Sequence, residues 1–319
     1  MLARIIFALL ATVCFSTGAF AQYPARAIRL VVTILPGGAP DIAARVVGQK
    51  LAESFGQPVV VENRPGANGN TAAGEVARAP ADGYTLILAA DSLIAINPHL
   101  YARMPLDTLR DLTPVASLVA NQFVLSVNPA LPVRTFTEFI EYARKANPPL
   151  NYASGGNGSQ HQLTMELLKA RAGIDLTHVP YRGGVPATTA TMSGEVAAMF
   201  AGTSTAPQIR AGRLRALATS GAKRSSAFPD LPTIAEYYPG FENSIWLGLF
   251  GPAGLPEEVL LKLRTEITRA LQTAEVRERL HAAGGLEPFL TTPEEFAALI
   301  RRDHERFGKL IREIGIKAD

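Results

Sequence analysis

The same local plan occurs twice in this chain, at 28–55 and again at 151–172: an apolar run, a glycine pair, then a helical stripe. In the first copy residues 28–34 are almost all apolar, as a strand covered on both faces must be. Pro36-Gly37-Gly38 breaks that run. From Asp41 onward apolar side chains recur at Ile42, Val46, Val47, Leu51 and Phe55, a helical period that Gly56 ends. In the second copy a short strand at 151–153 runs into Ser154-Gly155-Gly156-Asn157-Gly158-Ser159, and then into a helix carrying Leu163, Leu167 and Leu168. Further β-rich runs at 59–61, 84–89, 124–127, 196–200, 214–219 and 245–250 alternate with helical segments. Thr135 with Glu138 and Thr292 with Glu295 form capping boxes, and Pro256 and Pro293 sit where first-turn prolines belong. This alternation predicts an α/β fold on a mostly parallel sheet flanked by helices.

The length allows one large or two medium domains. Residues 228–241, with Pro229, Pro232, Pro239 and Gly240, read as a connection, and 62–70 as a turn-rich loop. The start of the chain has the layout of a secretory leader: Arg4, an apolar stretch over 5–15, and small residues at Ala19 and Ala21. Cleavage is expected after Ala21. That apolar stretch is too short to cross a bilayer, which takes about 20 residues. The single cysteine, Cys14, lies inside the leader after Val13, so neither a disulfide nor a cysteine metal site is expected in the mature chain. A net charge of +3 without any Lys/Arg run gives no reason to expect a nucleic-acid partner. The five histidines show no metal-ligand spacing.

The glycine loops carry the chemistry. A strand that ends in a glycine pair and opens a helix exposes the unpaired N–H groups of the first helical turn. Glycine lets a ligand approach that backbone closely, and the helix end carries roughly half a positive charge. Such a turn binds an anion without any basic side chain. Micromolar capture needs about −8 kcal/mol, and charge-assisted hydrogen bonds contribute about 1.5–3 kcal/mol each. Three to five of them suffice on that arithmetic. The alternative reading is a pair of turns that simply start helices. Neither loop has dinucleotide spacing or a nucleotide-phosphate lysine.

In order along the chain, Pro36-Gly37-Gly38-Ala39-Pro40-Asp41, Glu62-Asn63-Arg64-Pro65-Gly66-Ala67, Asp82-Gly83-Tyr84-Thr85-Leu86, Tyr152-Ala153-Ser154-Gly155, Val179-Pro180-Tyr181-Arg182-Gly183-Gly184, Pro229-Asp230-Leu231-Pro232-Thr233 and Trp246 with Gly248 appear. This succession resembles the Bug receptors, the extracytoplasmic solute receptors of tripartite tricarboxylate transporters. The resemblance implies a two-lobed periplasmic-binding-protein (Venus flytrap) fold, each lobe a mostly parallel sheet flanked by helices, closing on a small organic carboxylate. It implies delivery to a tripartite tricarboxylate-type membrane transporter, with no cofactor and no chemistry of its own. Carried over residue by residue, ligand contacts fall on Pro36, Gly37, Gly38 and Asp41 in the first lobe. In the second they fall on Ser154, Gly155, Asn157, Gly158 and Ser159. The expected division is 22–124 with 225–319 for one lobe and 125–224 for the other, in a periplasmic monomer. Three places depart from the family pattern: Ile34-Leu35, Pro40, and the order Gln160-His161-Gln162.

Single residues have competing roles. Asp41 either accepts from a ligand or an ordered water, or simply complements the helix dipole. Ser92 and Thr203 follow strands at 84–89 and 196–200, at the strand ends where α/β proteins bind ligands, and are expected contacts. Arg182 reads as solvated, Trp246 as core, and His161 as a neighbour of the anion loop. A hydrolase would want Gly-x-Ser-x-Gly, yet alanine precedes Ser154. A sensor that signals to a membrane kinase would need the same closed form as a transport receptor, so the sequence leaves that alternative open.

Overall fold

The computed structural model describes residues 23–282 and 285–316; the expected leader and Cys14 lie outside the described residues. The chain runs through β1 (Ile28–Val32), α1 (Ala39–Phe55), β2 (Val59–Asn63), α2 (Asn70–Ala77) and β3 (Thr85–Ala90). A wide π turn (Ser92–Ile96) then leads into α3 (Asn97–Leu100) and β4 (Leu112–Val127). Next come α4 (Phe136–Lys145), β5 (Leu150–Ser154), α5 (Gln160–Ala172), β6 (Leu176–Pro180), α6 (Gly184–Ser193), β7 (Ala198–Gly202), α7 (Ala206–Arg210) and β8 (Arg215–Thr219). The chain finishes with β9 (Ser244–Pro252), α8 (Glu257–Gln272), α9 (Ala274–Ala282), β10 (Glu287–Pro288) and α10 (Pro293–Ile314).

Among the described residues the strands order as β2-β1-β3-β9-β4-β7-β5-β6, with β8 and β10 also paired to β4. The result is a two-lobed α/β fold on a mixed, curled sheet. Parallel pairing, as expected, holds the outer strands: β1 with β2 and β3, and β5 with β6 and β7. The central strands β9 and β4 run antiparallel to their neighbours. Parallel neighbours need a crossover helix, which α1 and α5 supply; β4 and β9 instead carry the chain between the two halves.

β4 is the element that joins them. Residues 112–122 pair with β9, and 123–127 pair with β7 and β8, so one strand of 16 residues belongs to both halves. Only its last four residues, 124–127, read as strand in the sequence. Pro114, Ser117, Asn121 and Gln122 interrupt the apolar pattern upstream, and register shifts between Pro114 and Ala116 and between Ser117 and Val119 accommodate them. A proline inside a strand is tolerated at such an irregularity.

Each half has its own core. Leu30, Val47, Leu51, Leu88, Leu249 and Leu263 pack together in the first. Phe123, Phe136, Phe139, Tyr152, Phe200 and Phe241 pack together in the second. The second core also takes Ile234, so part of the connecting stretch 228–241 leans on that half. The stripe expected on α1 is the buried one at Val46, Val47 and Leu51, and Gly56 ends the helix in the left-handed region at φ 63. Both predicted capping boxes form, at Thr135–Glu138 and Thr292–Glu295. Trp246 is core: its indole Nε1 donates to Asp303 Oδ2 at 2.8 Å. Leu163 of α5 packs with Ala95, Ile96, Phe307 and Ile311, tying the halves together at the back.

Candidate functional site

Between the two halves lies a cleft of about 330 Å³. The first turns of three helices meet it. Helix α1 starts from Gly38, α5 from Ser159 and α6 from Gly183. Sequence reasoning identified the first two. It missed α6 and its preceding strand β6 because residues 176–180, Leu-Thr-His-Val-Pro, lack apolar alternation; β6 is only half covered at the sheet edge. The glycine pair Gly183-Gly184 was the available signal. The α5 and α6 turns adjoin: a Cβ on Gly155 would lie 3.4 Å from the Gly183 carbonyl carbon.

Of the expected contacts, Pro36, Gly37, Gly38, Ser92, Gly155 and Ser159 line the cleft together. Asp41, Ser154, Asn157, Gly158 and Thr203 do not line it. Asp41 is buried, and its carboxylate accepts from the Gly37 N–H at 3.0 Å, from Asn63 Nδ2 at 2.9 Å and from Arg45 Nε at 3.0 Å. Burial raises its pKa, but these three hydrogen bonds outweigh it and hold the carboxyl below its ordinary range. Asp41 thus shapes the first loop from behind. Thr203 is buried and donates through Oγ1 to Asn121 Oδ1 at 2.6 Å, orienting a residue that does line the cleft. Asn157 is exposed.

Ser154 and Gly158 belong to one network that sets the second loop. The Gly158 N–H donates to Gln162 Oε1 at 2.7 Å, which turns the Gln162 amide nitrogen toward His178 Nδ1 at 3.2 Å. Nδ1 therefore accepts, and His178 Nε2 carries the proton and donates to Ser154 Oγ at 2.6 Å. Ser154 Oγ also accepts from the Gly156 N–H at 3.1 Å and donates to the Gly156 carbonyl at 3.0 Å. Burial lowers the His178 pKa, which favours this neutral ring. The arrangement brings a serine and a histidine together, yet the histidine donates to the hydroxyl, and an amide rather than a carboxylate faces its other nitrogen. A nucleophilic serine needs the opposite proton direction.

Of the other wall residues, Asn68 and Gln160 were not expected as contacts, and His161 was expected only as a neighbour of the second loop. Asn68 lines the cleft, and its Nδ2 donates to the Gly158 carbonyl of the other half at 3.4 Å. Gln160 lines it too, donating to Asp91 Oδ2 at 2.6 Å and accepting from Asn243 Nδ2 at 2.9 Å. His161 sits between the two second-half loops. A Cβ on Gly155 would lie 3.0 Å from its Nδ1, and one on Gly184 would lie 3.3 Å from its Nε2. Its Nδ1 is enclosed without a hydrogen-bond partner among the described residues. Burial pushes its pKa down to about 4. These positions are separated by up to about a hundred residues in the chain, so no local pattern could group them.

No helix among the described residues is long and apolar enough to cross a membrane. Residues 43–316 match the family profile described as "Tripartite tricarboxylate transporter family receptor". The chain is 37% identical over 298 residues to Protein BugT of Bordetella pertussis, covering 92% of this chain and 91% of that one. It is 34% identical to a structure described as "R. palustris Rpa4515 with adipate", with a TM-score of 0.89 over 93% of this chain and 99% of that chain. It is 32% identical to MatC from Rhodopseudomonas palustris with bound malate, with a TM-score of 0.82 over 91% of this chain and 100% of that chain.

Proposed function

The chain belongs to the tripartite tricarboxylate transporter family of receptors, and on that premise we propose that it captures a small organic carboxylate between its lobes and delivers it to the membrane components of a tripartite tricarboxylate-type transporter. Members of this family are solute-binding receptors rather than enzymes, and no bond is made or broken here. One observation carries the reading: three helix starts converge on one cleft whose wall, among the described residues, holds no Lys or Arg side chain. First-turn amides hold an anion in such a place, and each helix end adds roughly half a positive charge. The adipate and malate in two related structures support a carboxylate in the same role.

Ligand contacts are assigned to Pro36, Gly37, Gly38, Ser92, Gly155 and Ser159, which share the cleft wall. Asp41, Ser154, Gly158 and Thr203 act from behind by holding those loops and Asn121 in shape. The lobes are taken as 22–124 with 225–319, and 125–224, with the 228–241 stretch packed on the second, and they are hinged where β4 and that connection cross. A ligand that touches both lobes only when they are shut draws the pair together. The periplasm is the compartment assigned, from the leader-like residues 4–21 and from membership of a transporter receptor family.

Native mass spectrometry of the purified protein, followed by a thermal-shift screen of organic acids, tests the reading. A bound acid, or a rise in Tm with a subset of acids, is the expected result. If no acid co-purifies and none raises Tm, carboxylate capture is wrong. Deleting the gene tests delivery: uptake of the bound acid should fall. Loss of ligand-induced transcription with uptake intact would mark a sensor instead.

A further inference from the structure

A second cavity, of about 470 Å³, opens at the end of the second half away from the cleft. Strand register fixes its place. Arg215, which lines it, pairs with Val127 at the far end of β4, whereas Phe123 and Gly202, which line the cleft, pair with each other nearer the middle. An occupant of this cavity therefore leaves the cleft free. Its wall is apolar at Ile209, Leu214, Phe228 and Leu231, and among the described residues it carries two charged side chains, Arg215 and Asp230.

The charge around it is one-sided. From Gln208 to Leu231 stand five basic side chains, Arg210, Arg213, Arg215, Lys223 and Arg224, against one acid, Asp230. The whole chain carries a net charge of only +3, which this stretch alone exceeds. Arg224 is paired with Glu236 at 2.9 Å. Arg210 and Arg213 adjoin the lining residues Ile209, Gly212 and Leu214, are exposed, and have no ion pair among the described residues. Arg215 is half-buried and spends Nη1 on the Leu131 and Val133 carbonyls, at 3.1 and 2.7 Å, so its charge meets dipoles and no carboxylate among the described residues. An apolar hollow rimmed by uncompensated arginines complements an apolar side chain flanked by acids.

The shape argues against a lipid surface. Proteins that lie on bilayers project apolar side chains outward beside their basic ones. Here Leu214 is buried, and Ile209, Phe228 and Leu231 are only partly exposed, so the apolar area is recessed and accepts a side chain. The cavity also sits at the joint between the halves. Helix α7 brings Gln208 to the cleft and Ile209 to the cavity. The facing wall is tied to the first half where Ser226 Oγ donates to Glu287, and to the second where the Pro232 carbonyl accepts from the Thr219 N–H at 2.9 Å.

We propose that this cavity docks an acidic segment of the transporter's membrane components, with an apolar side chain entering it and neighbouring carboxylates pairing with Arg210 and Arg213. The inference rests on the reading of the chain as a receptor that delivers its acid to such a transporter.

Uptake by cells lacking the gene and carrying variants of the full chain tests it, with the radiolabelled acid that co-purifies with the wild type or raises its Tm as the probe. Arg210→Glu with Arg213→Glu should cut uptake at least about tenfold, and Arg210→Lys with Arg213→Lys should keep it. The purified reversed protein should show the wild-type Tm and the wild-type rise in Tm with that acid. Arg301→Glu, at an exposed arginine of α10, should leave uptake unchanged. Full uptake with the double reversal overturns the inference and leaves delivery standing. Equal loss with the lysine pair or with Arg301→Glu overturns it as well, and so does loss of acid binding by the reversed protein. Wild-type binding to phosphatidylglycerol vesicles that the reversal abolishes would overturn it in favour of a lipid surface. If the wild-type gene itself restores no uptake, delivery is wrong and the docking site falls with it.

Discussion

At the residue scale, the cleft depends on side chains that never touch its surface. Asp91 shows how far a buried group can shape stability. It is fully buried, and one carboxyl oxygen has no hydrogen-bond partner among the described residues. Burial, with a smaller contribution from the Asp303 carboxylate, pushes its pKa well above the usual carboxyl range. The folded state therefore keeps a proton that the unfolded chain has released. Its contribution is complete below the unfolded pKa and is lost as pH rises through the folded one. Asp91→Asn removes that loss. The variant's Tm should exceed the wild type's at pH 8, and the gap should close toward pH 4; thermal melts across that range decide it, and a gap independent of pH would mean Asp91 is ionised. Gly155 offers a second test. A Cβ there meets His161 at 3.0 Å and the Gly183 backbone at 3.4 Å. Gly155→Val should cut affinity for a bound acid at least about tenfold while circular dichroism remains that of the wild type. Unchanged binding would place the anion elsewhere.

At the element scale, helix starts do two different jobs. The starts of α1, α5 and α6 face the cleft, whereas α4 starts at a capping box remote from it. In that box the Glu138 N–H donates to Thr135 Oγ1 at 3.2 Å, and the Thr135 N–H donates to Glu138 Oε2 at 3.2 Å. Thr135→Ala should cost about 1 kcal/mol and lower Tm by about 2–4 °C, with ligand affinity unchanged. A change in affinity would mean that α4 moves with the cleft. The contrast explains what was readable. Caps, first-turn prolines and stripes are local, so Thr135–Glu138, Thr292–Glu295 and the α1 stripe at Val46, Val47 and Leu51 could be placed from nearby residues alone. β6 and most of β4 could not. Their residues are neither alternating nor continuously apolar, and they become strands because distant strands pair with them, β5 alone for the edge strand β6 and β7, β8 and β9 for β4.

At the scale of the whole molecule, two halves meet along β4 and β9, and closure is the motion that matters. Asn68 reaching Gly158 and Gln160 reaching Asp91 both span the gap. Adding the acid identified by mass spectrometry should reduce the radius of gyration in small-angle scattering and slow amide exchange in β4 near 119–123. Scattering curves that superimpose with and without a bound acid would rule out a hinge. The amino-acid sequence by itself determined the alternating α/β plan, the two glycine loops, the helix stops and the resemblance to a receptor family, because each is written in residues close together in the chain. It also put Pro36, Gly37, Gly38, Gly155 and Ser159 at the start of helices able to hold an anion. Only the tertiary structure decided that Asp41, Ser154, Gly158 and Thr203 stand behind the wall. It alone brought α6, Asn68 and Gln160 to the cleft. The physical reason is distance along the chain: local hydrogen bonding and periodicity shape a loop, but which loops face one another depends on strands that pair across a hundred residues.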